Sequence, residues 1–158
     1  MKEPIEAVRG YAITLLSRRA YTEAGLYEKL EVRYGEEAAA SAVARMTELG
    51  LLDDEDYARR YFSDLTGRKG MSKRRAAQEL KRKGIDAGII EAVTGETPDD
   101  AQPMIARVIK RRYARYLDDE KGRRKTINAL LRLGYGYGDI FAVLRNLEAD
   151  ENYYEDWE

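Results

Sequence analysis

Proline interrupts this chain of 158 residues at only three positions, Pro4, Pro98 and Pro103, so most of the backbone is free to be helical. Apolar residues recur along it at the spacing of one buried helical face. The first such set is Val8, Tyr11, Ala12, Leu15 and Leu16. The alternation of apolar and polar residues that marks a β-strand is nearly absent. The sequence therefore predicts an all-α protein.

Capping residues and glycines divide this pattern into about nine helices, each of roughly ten to fifteen residues. Asp53 or Asp54 can accept hydrogen bonds from the first turn of a helix, and Thr97 can cap a helix that starts with a proline. Glycines lie where several helices should end. The predicted spans are 5–18, 23–34, 36–49, 54–67, 72–83, 86–94, 100–117, 119–133 and 137–148.

A weak internal repeat groups the predicted helices. Residues 80–85 and 130–135 share a pattern of leucine, basic residues and glycine, and apolar residues follow each segment; residues 30–35 are a looser copy. The glycines of these copies lie about fifty residues apart, a period typical of stacked helical units. Each unit alone has too little core, so neighbours should bury surface against each other, whereas one compact bundle would give the repeat no purpose.

We therefore predict three tandem three-helix modules that form an elongated, curved helical-repeat solenoid. The modules are 1–52, 53–96 and 97–148. The segment 149–158 is acidic and contains three aromatic residues, and we expect it to be a flexible C-terminal tail.

The absence of cysteine and histidine removes whole classes of chemistry. Disulfides, thiolate zinc sites, cysteine nucleophiles and imidazole bases are excluded. Oxygen ligands could still hold a metal, but Asp53, Asp54 and Asp56 lack the spacing of a calcium loop, and helix capping explains them better. We predict a protein that is not an enzyme, with no catalytic residues, no cofactor and no metal site.

The N-terminal residues lack the continuous apolar core of a signal peptide, and no apolar run approaches the length of a membrane span. We expect a cytoplasmic monomer with no membrane partner and no small-molecule substrate.

Positive charge is concentrated although the formal net charge is only -1. Segments 68–83 and 107–125 hold 17 of the 28 Lys and Arg residues. We interpret them as two basic faces for a polyanion or an acidic protein surface, and the alternative is solvated helix surface with ordinary pairs such as Glu55–Arg59 and Glu120–Arg124. The candidate binding residues are Lys69, Lys73, Arg74, Arg75, Lys81, Arg82, Lys83, Lys110, Arg111, Arg112, Arg115, Arg123, Arg124 and Lys125.

The segment 49–58 reads Leu-Gly-Leu-Leu-Asp-Asp-Glu-Asp-Tyr-Ala and resembles the signature of the RecX family. Downstream, 68–70 (Arg-Lys-Gly) and 79–85 (Glu-Leu-Lys-Arg-Lys-Gly-Ile) match a second landmark of that family. Residues 12–30 resemble its first module more loosely, with Gly25 where an acidic residue is usual. The resemblance weakens in the third module.

The resemblance implies three tandem three-helix modules that bind in the helical groove of the RecA recombinase assembled on single-stranded DNA. It also implies a regulator in DNA repair and the SOS response that mostly inhibits recombinase activity, strand exchange and ATP hydrolysis, with some affinity for DNA itself. Two alternatives remain: a direct DNA-binding protein built from helix-turn-helix-like modules, and a generic helical-repeat scaffold for a protein partner.

Overall fold

The structure, a computed structural model, describes the backbone of residues 3–155 and the side chains of residues 5–150. Within that part of the chain it contains nine α-helices and no β-strand, so the all-α prediction is confirmed. The helices are α1 (Glu3–Arg18), α2 (Glu23–Tyr34), α3 (Glu36–Glu48), α4 (Asp54–Ser63), α5 (Lys73–Arg82), α6 (Ala87–Thr94), α7 (Gln102–Val108), α8 (Glu120–Arg132) and α9 (Tyr137–Glu155).

Two helices end in wider turns than the sequence predicts. A π-helical turn, Asp64–Arg68, follows α4, and the Lys69 amide donates to the Asp64 carbonyl five residues back, at 3.1 Å. A second π-helical turn, Ile109–Tyr113, follows α7 and leads into a 3₁₀ turn, Ala114–Tyr116. Because each π turn takes up an extra residue, it changes the direction of the side chains that follow.

The last helix is longer than predicted. α9 continues to Glu155 rather than ending near residue 148, so the first part of the acidic segment is helical. Residues 156–158 lie outside the described residues. The flexibility of 149–158 stays a prediction.

The helices form two compact units. The chain passes between them after Ser63, after Ala76 within α5, and after Glu96. One unit comprises Met1–Ser63 and Ala77–Glu96, and the other comprises Asp64–Ala76 and Thr97–Glu158. The predicted boundaries of three modules stay a prediction.

The core of the first unit is made by α1, α2 and α3. Their apolar faces meet at the helical spacing that the sequence displays. The buried residues are Val8, Ala12, Leu15, Leu26, Leu30, Ala39, Ala42, Met46 and Leu52.

The core of the second unit is made mainly by α7, α8 and α9. Its buried residues are Ile105, Val108, Ile109, Leu130, Tyr135, Ile140, Val143 and Leu144. Tyr135 is buried, and its hydroxyl donates to the carbonyl of Gly70 at 2.8 Å. Burial raises the pKa of Tyr135 to about 12.

The start of α2 makes a tight contact with the end of α5, and a similar contact is found in the second unit. The Thr22 hydroxyl oxygen accepts from the Gly25 amide at 2.9 Å, which caps α2, and the hydroxyl donates to the Lys83 carbonyl at 3.0 Å. Gly84 follows with φ +80°, and a Cβ built there would lie 2.5 Å from the Cβ of Ala24. The end of α5 thus meets the start of α2 at a distance that only glycine permits.

A similar contact occurs in the second unit, fifty residues further along the chain, although a backbone amide replaces the hydroxyl as the donor. Ser72 caps α5 by accepting from the Arg75 amide at 3.1 Å, and the Ser72 amide donates to the Leu133 carbonyl at 2.8 Å. Gly134 follows with φ +99°, and a Cβ there would lie 2.6 Å from that of Arg75. For Gly84 and Gly134, the glycine repeat is therefore a repeated contact between the end of one helix and the start of another, whereas a Cβ at Gly35, in the looser copy, would meet nothing within 4 Å.

Candidate functional site

Five of the predicted basic residues have exposed side chains that make no ion pair, hydrogen bond or ring contact with any of residues 5–150. They are Lys69, Arg74, Lys81, Lys110 and Arg111. Their charges are balanced only by solvent and mobile ions, so an external anion can approach them. Their membership of a binding face stays a prediction.

The Lys73 side chain forms an ion pair and a hydrogen bond within the second unit. Its side chain is 26% exposed, and its ammonium donates to the Asp99 carboxylate at 2.7 Å and to the Thr97 carbonyl at 2.8 Å. This ammonium lowers the pKa of Asp99 below its usual value. Lys73 therefore ties the start of α5 to the segment before α7.

Local partners also contact two other basic residues of this segment. Arg82 pairs with Glu79 at 3.3 Å, and the Lys83 ammonium lies 5.5 Å from the ring centroid of Tyr61. Arg75 is half-buried. These contacts lie at the surface and each contributes little to stability, so they do not withdraw the charge from an external partner.

Arg112 has a structural contact that the sequence did not indicate. Its guanidinium donates to the carbonyl of Arg68 and, at 3.3 Å, to that of Lys69. These carbonyls lie at the end of the π-helical turn, where backbone oxygens lack helical partners and attract a cation.

The adjacent residues Arg123 and Arg124 have different environments. Arg123 pairs with Glu148 of α9 at 3.3 Å, and its Nε is buried without a hydrogen-bond partner. Arg124 is 72% exposed, and its contact with Glu120 is long, at 3.8 Å. Arg123 therefore packs between α8 and α9, whereas Arg124 presents its charge to solvent.

A basic groove in the second unit brings together three of the predicted residues, Arg115, Arg124 and Lys125. It has a volume of about 830 Å³. The full lining is Arg115, Tyr116, Asp119, Lys121, Gly122, Arg124, Lys125, Asn128 and Arg132. We call this feature the α8 groove.

Two lining residues, Lys121 and Arg132, were missed as candidate binding residues. A signal for them exists in the sequence, because positions 121, 124, 125, 128 and 132 fall on one face of a helix. This spacing does not appear as a dense run of charge in the sequence, because other residues separate most of these positions.

Tyr116 organises one side of the α8 groove. The Arg115 guanidinium lies 4.9 Å from its ring centroid and donates to its hydroxyl at 3.0 Å, and the Lys125 ammonium lies 4.5 Å from the same centroid. The face of an aromatic ring attracts cations without neutralising them. Both cations are thus positioned while they keep their full charge.

Of the acidic residues in the signature segment, Asp53 caps the helix that follows it, as predicted, Asp54 bonds the start of another helix, and Asp56 forms an ion pair rather than a cap. Asp53 accepts from the Asp56 amide at 3.0 Å at the start of α4. Asp54 accepts from the Glu23 amide at 2.8 Å and so caps α2. Burial raises the pKa of Asp54, and the hydrogen bond from the Glu23 amide opposes that effect. The signature thereby fixes α4 against α2.

A smaller cleft of about 420 Å³ lies beside the signature segment in the first unit. Its aromatic lining comes from Tyr21, Tyr57 and Tyr61, and Leu51 lies at its edge with 49% of its surface exposed. The remaining lining residues are Ala20, Gly50, Asp53, Asp56 and Arg60. The Asp56 carboxylate pairs with Arg60 at 3.0 Å, so the cleft has no strong net charge.

Neither a membrane-spanning helix nor a metal-binding group is found in the described part of the chain. None of its helices is both long enough and apolar enough to cross a bilayer. Its acidic residues form no cluster of three that could hold a metal ion.

Comparison with known proteins identifies the family. A sequence model described as the first three-helix domain of RecX matches residues 9–46, and one described as the second three-helix domain matches residues 53–93. The regulatory protein RecX of Streptomyces coelicolor is 31% identical over 156 residues, which cover 95% of this chain and 82% of that protein. The regulatory protein RecX of Mycobacterium sp. strain JLS is 36% identical over 138 residues, covering 82% of this chain and 75% of the relative.

Solved structures agree on the fold. The crystal structure of RecX from Lactobacillus salivarius superimposes with a TM-score of 0.75 at 22% identity, over 94% of this chain and 99% of that chain. Another RecX crystal structure gives a TM-score of 0.70 at 20% identity, over 90% of this chain and 72% of the other. The Streptomyces coelicolor relative aligns with 95% of this chain, and the two family models match residues 9–46 and 53–93, half of the chain, in the expected order. This chain belongs to the RecX family of regulatory proteins.

Proposed function

We propose that this protein binds the RecA filament assembled on single-stranded DNA and lowers its recombinase activity, including strand exchange and ATP hydrolysis, during DNA repair. The proposal rests on sequence similarity, over 95% of the chain, to a protein named regulatory protein RecX. The binding partner and the direction of regulation come from the family resemblance of the signature segment 49–58.

The surface of the chain is compatible with this function. A filament presents many copies of the same protein surface together with DNA phosphates, so a ligand gains affinity by making several weak contacts at once. The exposed cations on α5 and after α7 supply such contacts. Each one contributes only a few tenths to about one kcal/mol, so binding depends on their number rather than on a single residue.

Cosedimentation tests the binding step. RecA filaments are assembled on a long single-stranded DNA with a non-hydrolysable ATP analogue and pelleted in the presence of this protein. We expect the protein to pellet with complete filaments in a saturable manner, and to pellet less with RecA alone or with DNA alone. Recovery of the protein in the supernatant at low salt, with intact filaments in the pellet, would contradict the proposal.

A further inference from the structure

The α8 groove concentrates charge on one helical face. Lys121, Lys125 and Arg132 project from α8 at spacings of four and seven residues, and Arg124 and Asn128 lie between them on the same face. Arg115 faces them from the 3₁₀ turn that precedes α8. Five cations therefore line one concave surface in a chain whose formal net charge is -1.

Carboxylates of the second unit do not neutralise this surface. Asp119 is the one acidic lining residue, and its carboxylate is occupied as the cap of α8, where it accepts from the Gly122 amide at 2.6 Å. Glu120 approaches only Arg124, at 3.8 Å, and both side chains are largely exposed. The other four cations have no ion pair with any described residue. Like charges held this close repel one another, and a bound polyanion would relieve that repulsion.

The groove lacks the features of a protein-binding surface. Protein interfaces are anchored by buried apolar or aromatic side chains at their centre. None of the large exposed apolar residues of residues 5–150 lines the α8 groove; they are Ile5, Ile13, Val32, Leu49, Leu51, Tyr137 and Phe141. Its one aromatic residue, Tyr116, already holds two cations. A surface of cations and an amide without apolar anchors is suited to phosphate groups.

We propose that the α8 groove binds consecutive phosphates of a nucleic-acid strand, independently of RecA. The cationic face from residue 121 to residue 132 is about 16 Å long at the helical rise of 1.5 Å per residue. A face of that length can contact several consecutive phosphates of one strand. Lys121, Arg124, Lys125 and Arg132 contact the phosphates, and Tyr116 keeps Arg115 and Lys125 directed into the groove.

This inference deepens the proposed function, and the biological role of the groove rests on that function. It assigns DNA and the recombinase to two different surfaces of the protein. The α8 groove meets the DNA strand, whereas the exposed cations of α5 are left for the recombinase. The groove also lies outside the residues matched by the two family models, 9–46 and 53–93.

Fluorescence anisotropy with a labelled oligomer of fifteen thymidines, without RecA, tests the site. The groove variant Lys121→Gln, Lys125→Gln, Arg132→Gln should bind at least tenfold more weakly than the parent. For this variant, the slope of log affinity against log salt concentration should be smaller in magnitude by about 2. Each phosphate contact on a single strand contributes about 0.7 to that slope, and three contacts are lost. Equal helix content by circular dichroism would confirm that both proteins are folded.

The matched control removes the same charge elsewhere: Arg18→Gln, Lys29→Gln, Arg145→Gln. These side chains are exposed and have no ion pair within the described residues. We expect the control to change affinity by less than threefold. Equal weakening by both variants, or a parent that does not bind the oligomer at low salt, would overturn the inference.

Competing anions distinguish the possible ligands. Unlabelled oligomer should displace the probe, whereas polyglutamate and inorganic tripolyphosphate at the same charge concentration should displace it poorly. Displacement by polyglutamate equal to that by the oligomer would assign the groove to an acidic protein surface, and equal displacement by tripolyphosphate would assign it to a free anion; either result overturns the proposal.

Failure of this inference and failure of the proposed function are separable. A parent that cosediments with filaments but does not bind the oligomer contradicts only the groove assignment. A parent that binds the oligomer through the groove but does not cosediment with filaments contradicts only the proposed function.

Discussion

The contact between the end of α5 and the start of α2 can be tested by adding a single methyl group. Gly84→Ala places a Cβ 2.5 Å from the Cβ of Ala24, at a backbone φ of +80°. The positive φ alone costs an alanine about 1–2 kcal/mol. Forcing a methyl group into a packed contact adds about 1–3 kcal/mol. We therefore expect the free energy of unfolding to fall by about 2–5 kcal/mol.

Gly50→Ala is the matched control in the same unit. Gly50 has a similar φ, +73°, but a Cβ there meets nothing within 4 Å. Gly50→Ala should therefore lower the free energy of unfolding only by the backbone cost of about 1–2 kcal/mol. The difference between the two variants isolates the steric contribution of the repeat contact.

Urea denaturation followed by far-ultraviolet circular dichroism measures these free energies. Ala24→Gly removes the opposing methyl group, so the double variant with Gly84→Ala should recover most of the steric cost, apart from about 1 kcal/mol of lost helix propensity. Equal destabilisation by Gly84→Ala and Gly50→Ala, with additive effects in the double variant, would refute the close contact.

Three further predictions address the second unit and the basic surface. Tyr135→Phe leaves the buried carbonyl of Gly70 without its donor and should cost about 1–3 kcal/mol in urea denaturation, and an unchanged midpoint would contradict this. Because Lys73 lowers the pKa of Asp99, their contribution to stability is present above the usual aspartate pKa of about 4 and is lost as the pH falls through the lower folded value. Asp99→Asn should therefore narrow the difference in melting temperature between pH 7 and pH 3, whereas an equal difference in variant and parent would show that the pair is not formed. Reversing three exposed cations should weaken inhibition of RecA at least tenfold at low salt and less at high salt, with helix content unchanged; parent-like inhibition would mean that these charges are only solvated surface. The three substitutions are Lys69→Glu, Arg74→Glu and Lys81→Glu.

The helices could be predicted from the sequence because their determinants are local. Apolar spacing and the Asp53 cap act within a few residues, so the pattern alone indicates where α4 begins. The π-helical turns were not predicted, since no residue type in Asp64–Arg68 or Ile109–Tyr113 marks an extra residue per turn. The repeat was visible through its glycines. Their partners, Thr22 and Ser72, belong to tertiary contacts that the pattern does not contain.

The candidate site was only partly predictable for the same reason. The density of charge along the sequence does not distinguish Lys73, Arg112 and Arg123 from their basic neighbours. In the structure, however, each of the three contacts a residue distant in the sequence. The same measure omits Lys121 and Arg132, which join the α8 groove through helical spacing rather than through proximity in sequence. The function of a lysine or arginine depends on what its charge meets, and that is decided by the fold.

The most direct test of the regulatory function is the rate of ATP hydrolysis by RecA on single-stranded DNA as this protein is added. We expect the rate to fall in a dose-dependent manner to a small fraction of its starting value, while this protein alone hydrolyses no ATP. A rate that stays constant at concentrations where the protein saturates the filament in cosedimentation would contradict an inhibitory role.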